Sequence, residues 1–160
     1  MKWVSRKDVK VDRIACSWLI LRFLDPEAQF LFVEEKNVLA AAAKQEAVPF
    51  DLPRHPELKF THHDGLCTFE VLLREFELDE PALARLGKIV NAAESREERL
   101  RGEKVRRVKP RGDKDAPPEA LGLKAIADGF QELAASDEKR VAWGFFIFDA
   151  LYAWCQKAAK

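Results

Sequence analysis

Phe60-Thr61-His62-His63-Asp64-Gly65-Leu66-Cys67-Thr68-Phe69-Glu70 holds two of the three His and one of the three Cys of this 160-residue chain. The approach, Leu58-Lys59-Phe60-Thr61-His62, alternates like a strand, and Phe69, Leu72, Leu73 and Phe76 recur at helical spacing. The stretch therefore predicts a strand that hands over to a helix N-terminus. Thr68 or Asp64 is the expected cap, since either side chain accepts from the free N–H groups of a first turn. Such an end attracts anions and stabilises a thiolate, and imidazole and thiolate are also ligands for transition metals. No second ligand pair follows His63 and Cys67 at zinc-finger spacing. The plainer alternative is a capped helix start, with one His bonded to backbone and Cys67 packed as a small hydrophobe.

Upstream, Val9 to Leu24 places Ile14, Trp18, Leu21 and Leu24 on one helical face. Asp12 is the expected N-cap and Asp25-Pro26 the stop, because Pro disfavours helix in the residue before it. Asp12 and Cys16 are i,i+4 neighbours with Arg13 beside them. Trp3-Val4, Phe30 to Val33, Val48 to Asp51 and residues 58–62 read as short strands, with Pro49 marking an edge. Asn37 opens a helix over Val38 to Ala47. Downstream, helices follow from Phe69, from Asp79-Glu80-Pro81 to near Ala93, from Pro117-Pro118-Glu119 to near Ala135, and from Ser136 or Asp137 to near Lys157. The fold class expected is α+β, mainly helical: one compact domain over residues 1–160, of about six helices and a small sheet. The last helix reads as apolar nearly all round between Trp143 and Cys155, which predicts burial. Asp149 is the anomaly there, because a buried carboxylate is costly unless paired, protonated or metal-bound.

With 27 Lys and Arg against 27 Asp and Glu, the chain carries no formal net charge, so it is not an electrostatic nucleic-acid binder as a whole. Residues 95–118 depart from that balance. Arg96 to Lys114 is rich in Lys and Arg, poor in apolar residues and broken by Gly and Pro, which predicts an exposed basic loop. Three widely spaced Cys make no disulfide framework and fit a reducing cytoplasm. No apolar run is long enough to span a bilayer, so no membrane partner is expected.

Four motifs in order resemble one family. Lys10-Val11-Asp12-Arg13-Ile14-Ala15-Cys16-Ser17-Trp18-Leu19-Ile20 is similar to the opening of the C-terminal domain of ChrB-type chromate-resistance proteins. Phe30 to Val33, the His63 to Glu70 segment, and Phe148-Asp149-Ala150-Leu151-Tyr152-Ala153-Trp154-Cys155 fit it in turn. Ser17 stands where members tend to carry Pro, and the basic loop is longer than the pattern. The resemblance implies a cytoplasmic protein linked to the chromate response, sometimes part of a longer regulator or joined to a sulfurtransferase-like domain. It transfers no catalytic residue set.

The candidate site therefore rests on residue chemistry. Asp12, His62, His63, Cys67 and Asp149 are the candidate ligands of a transition-metal ion; Arg13, Cys16 and Tyr152 are candidate ligand-binding groups; Cys67 is the candidate catalytic thiol. His63 is the preferred imidazole, since it precedes the Asp64-Gly65 turn, and a site shared with Asp149 is expected. Three functions compete: binding or sensing of a metal ion or the chromate oxyanion; a thiol- or metal-dependent reductase or hydrolase; and a nucleic-acid-associated regulator using the basic loop, for which a balanced charge argues poorly in this domain by itself. A cation is favoured over an anion, because Asp12 and Asp149 would repel an anion.

Overall fold

The computed structural model describes residues 1–100 and 116–158, the side chains of 95–100 excepted. Its sheet is built on β1 (Lys2–Arg6), flanked by β2 (Gln29–Val33) and β3 (Ala47–Pro49) in the order β2-β1-β3. Both pairings are parallel, with Trp3 opposite Phe30 on one side and Val48 on the other. Parallel neighbours need crossovers. The first crossover is α1 (Val11–Leu19) with the π-helical turn Ile20–Leu24, and the second is α2 (Val38–Gln45). Pro49 lies on an edge strand, as its missing N–H requires.

Residues 58–62 are not a strand. Pro53 and Pro56 interrupt the approach, and the segment is a loop fixed by turn bonds from His55 N to the Leu52 carbonyl and from Leu58 N to the His55 carbonyl. Aromatic packing gives it the extended look: Phe60 lies 5.7 Å from the Trp3 ring and stacks on Phe76 at 5.5 Å.

The remaining helices are α3 (Thr68–Glu75), α4 (Pro81–Leu100), α5 (Glu119–Leu133) and α6 (Asp137–Ala158). They pack around α1, in which every residue from Val11 to Leu19 is buried. Ile14, Trp18, Leu19, Phe69, Leu72, Leu83, Leu86 and Phe148 form the centre of this core. The fold is thus mainly helical α+β, with six α-helices among the described residues. α4 continues past Ala93 to Leu100, because Glu and Arg are good helix formers. Most of the expected basic loop, residues 101–115, lies outside the described residues. Among the described residues no helix is long and apolar enough to cross a membrane.

α6 is not buried all round. It turns Val141, Gly144, Phe148 and Cys155 inward, whereas Trp143, Phe146 and Trp154 are 40%, 78% and 39% exposed. Gly144 sets the approach to α1, because a Cβ there would fall 2.2 Å from Cγ2 of Ile14. Gly144→Ala is therefore expected to destabilise by about 1–3 kcal/mol through overpacking, despite a gain in helix propensity of about 1 kcal/mol. Urea denaturation measures this, and an unchanged or raised midpoint would mean that α6 can lift from α1 at no cost.

Candidate functional site

Because α1 is buried on every side, it carries Asp12 and Arg13 into the interior at 1% and 4% exposure. Asp12 does not cap its own helix, whose N-cap is Lys10. Its carboxylate instead reaches across to the start of α3, where Thr68 N–H donates to Oδ2 at 2.8 Å and Phe69 N–H to Oδ1 at 3.0 Å. The free donors of a helix N-terminus are thus satisfied by a residue 56 positions earlier. The Cys16 thiol donates to the same carboxylate at 3.5 Å. Within α3, Cys67 occupies the N-cap, in place of Thr68 or Asp64, and its N–H donates to the Glu70 carboxylate at 3.2 Å. Asn91 on α4 also donates to Glu70.

Asp51 follows β3 with φ 52, in the left-handed region, and is 1% exposed. Arg13 Nη1 donates to its Oδ2 at 2.9 Å, and Thr68 Oγ1 donates to Oδ1 at 3.0 Å. Arg6 Nη2 stands 3.6 Å from Oδ2. Arg13 is anchored in turn by the Asp8 carbonyl, at 2.7 Å from Nη2. His62 closes the group: Nε2 lies 3.1 Å from Asp12 Oδ2 and 3.2 Å from Asp51 Oδ1. One ligand atom from each of Asp12, Asp51 and His62 falls within 4.8 Å of the others.

The electrostatics follow from this packing. Burial works against the His62 imidazolium, but the hydrogen bonds and charges of Asp12 and Asp51 outweigh it and push the ring up to about 11. Burial likewise opposes ionisation of Asp51, yet the His62 hydrogen bond with the Arg13 and Arg6 charges holds it well below the ordinary carboxylate range. The cluster therefore carries a proton between two carboxylates, at a site where His62 alone reaches solvent, at 22% side-chain exposure.

The structure brings together Asp12, Arg13, Cys16, His62 and Cys67, and leaves out the others. The His63 ring is bonded to the Leu58 carbonyl at 2.8 Å, so the preferred imidazole is the one tied to backbone. Asp149 is 43% exposed and fully engaged elsewhere. Trp18 Nε1 donates to it at 2.7 Å, Arg22 grips both its oxygens at 3.0 and 2.8 Å, and the Arg22 bond holds its carboxyl below the usual range. Tyr152 donates to Glu80 at 2.6 Å; burial and then that bond push its phenol up to about 12. Cys67, the candidate thiol, stands at the N-cap of α3. It is 3% exposed, and burial followed by the Asp12 and Glu70 charges raises its thiol well above the ordinary value, so thiolate is suppressed. The same holds for Cys16, through burial, Asp12 and Asp51. Asp51 is the member that sequence reasoning missed. Its only signal is a lone carboxylate between Phe50 and Leu52, inside a Pro49 to Pro53 run.

The family model described as ChrB, C-terminal domain, matches residues 3–109. The chain belongs to this family. All three cluster residues, and the helix whose start Asp12 holds, fall within the ChrB match. Protein ChrB of Cupriavidus metallidurans is 33% identical over 152 residues, which cover 94% of this chain and 40% of that protein. The chain thus spans less than half the length of that relative. No solved structure matches.

Proposed function

We propose that this ChrB-family domain serves the chromate response by binding a divalent transition-metal cation at Asp12, Asp51 and His62. The observation that carries the reading is the convergence of two carboxylate oxygens and an imidazole nitrogen within 4.8 Å. Imidazole with carboxylate is a donor set suited to such ions. The spacing supports it too. A tetrahedral ion with ligands at about 2.0–2.1 Å places neighbouring donors roughly 3.3 Å apart, close to the 3.1 and 3.2 Å that separate His62 Nε2 from its two carboxylates. The cation takes the place of the His62 proton, which now bridges the same oxygens. The backbone N–H groups of Thr68 and Phe69, together with Arg13, hold the carboxylates in position meanwhile. An oxyanion fits less well, because both carboxylates face the centre and the Arg13 and Arg6 charges are directed at Asp51.

Equilibrium dialysis against zinc, nickel, cobalt and copper, followed by elemental analysis, tests the reading. The expected result is about one ion per chain with near-stoichiometric proton release, and a loss of at least roughly tenfold in affinity in His62→Gln. His62→Gln should keep a cooperative thermal transition. Binding that is equal in wild type and variant would overturn the site. Retention of chromate in place of any cation would overturn the choice of ligand.

A further inference from the structure

We propose that the exposed face of α6 docks a second copy of this chain through an antiparallel two-fold contact. Between Ala142 and Trp154 the exposed positions of α6 are Ala142, Trp143, Phe146, Ala150, Ala153 and Trp154, with no charged residue among them. Asp149, beside this face, is neutralised by Arg22. Trp143, Phe146, Ala150 and Ala153 follow one another at intervals of three, four and three, the seam spacing of paired helices.

The spacing is also symmetric about position 148. When two antiparallel copies of a helix cross on a two-fold axis there, each residue meets the one equally far beyond the centre on its partner. Trp143 then meets Ala153, and Phe146 meets Ala150. Both aromatics of the seam face an alanine, so projections meet hollows, as close packing between helices requires. Apart from Asp149, the charged residues of α6 lie outside this span, in the first turn at Asp137, Glu138, Lys139 and Arg140 and in the last at Lys157.

The face is also large enough. Phe146 is 78% exposed, Trp143 and Trp154 about 40% each, and Leu133 at the end of α5 is 76% exposed. Phe130 of α5 meets Trp143 edge-on at 5.7 Å, so the two helices present one surface. These four side chains alone offer on the order of 500 Å², and the alanines with Ile126 bring the patch towards the roughly 800 Å² per partner of a standard interface. One face of the Trp154 ring is covered by the Arg85 guanidinium at 4.2 Å, which fixes the ring at the edge of this face. A patch of this size is larger than a monomer commonly leaves exposed.

Sedimentation velocity on the full chain from low micromolar to about 200 μM tests the contact. The expected species is a dimer. Phe146→Ala and Ala150→Phe should each weaken it about 100-fold, tenfold for each of the two copies of the contact, with the melting temperature of the isolated chain unchanged because both positions are exposed. The swap of the two, Phe146→Ala with Ala150→Phe, should restore the dimer, because small then meets large again. A monomer at every concentration overturns the proposal. So does a dimer indifferent to Phe146→Ala. Single variants that weaken the dimer without rescue by the swap would overturn the antiparallel register.

Discussion

Asp12→Ala is expected to cost roughly 4 kcal/mol of folding free energy or more, and to lower the melting temperature by about 10 °C. The Asp12 carboxylate accepts from two backbone N–H groups of α3, from the Cys16 thiol and from His62. The alanine variant leaves the two N–H donors buried without an acceptor, at about 1–3 kcal/mol each, and removes one of the two counter-charges of a partly buried imidazolium. Asp12→Asn keeps the shape and one accepting oxygen, so an intermediate loss is expected. Urea denaturation measures both. A loss under about 1 kcal/mol for Asp12→Ala would mean that α3 finds other partners for its first turn and that Asp12 is not what joins it to α1.

The second large effect is a fall in stability as pH rises through neutrality. His62 keeps its proton in the folded protein up to about 11, whereas an unfolded imidazole releases it near 6.5. Below about 6.5 both states hold the proton and the stabilisation is complete. Between 6.5 and 11 only the folded state holds it, so each pH unit removes up to about 1.4 kcal/mol. Asp51 acts at the other end. Its depressed folded-state ionisation contributes stability that is present above the ordinary carboxylate range and is lost as the pH falls below it. Raising the pH from 6.5 to 8.5 should therefore cost about 2 kcal/mol in the wild type and much less in His62→Gln. The slope, not the starting stability, is the readout, so a variant that is weaker at every pH still reports. Parallel profiles for the two proteins would show that His62 is not the titrating group.

Much of the architecture was legible in the sequence. Helical periodicity placed α1, α3, α5 and α6, and the apolar runs at Phe30 to Val33 and around Val48 became strands. Two things defeated periodicity. Residues 58–62 alternate because Phe60 must reach Trp3 and Phe76, not because they pair in a sheet. The run from Trp143 to Trp154 is apolar on both sides for two different reasons: one side packs on α1, and the other is exposed.

At the site, sequence reasoning found Asp12, Arg13, Cys16, His62 and Cys67 as odd residues in apolar surroundings, but it preferred His63, whose ring bonds to the Leu58 carbonyl, and read Asp12 as a local cap. Adjacent residues such as His62 and His63 differ only in which way the backbone turns them, and the Asp64-Gly65 turn does not encode that. Asp51 was invisible for a related reason. Its role depends on a left-handed backbone position and on contacts to residues 38 positions back and 17 positions ahead, and no local pattern carries such information.

The reach of the Asp12 carboxylate across 56 residues to the start of α3 also bears on the order of assembly. The cluster draws on β1, α1, the segment after β3, the loop before α3 and α3 itself, and its sheet is made wholly of crossover pairs. The contacts that Asp12 and Arg13 make across the cluster span 38 to 57 residues, and the loop-closure entropy between their ends is spent before they form. The group is thus a product of late folding, complete only once the core around α1 has closed. Interactions of that kind are absent from early transition states, so they govern how slowly the chain comes apart far more than how fast it comes together.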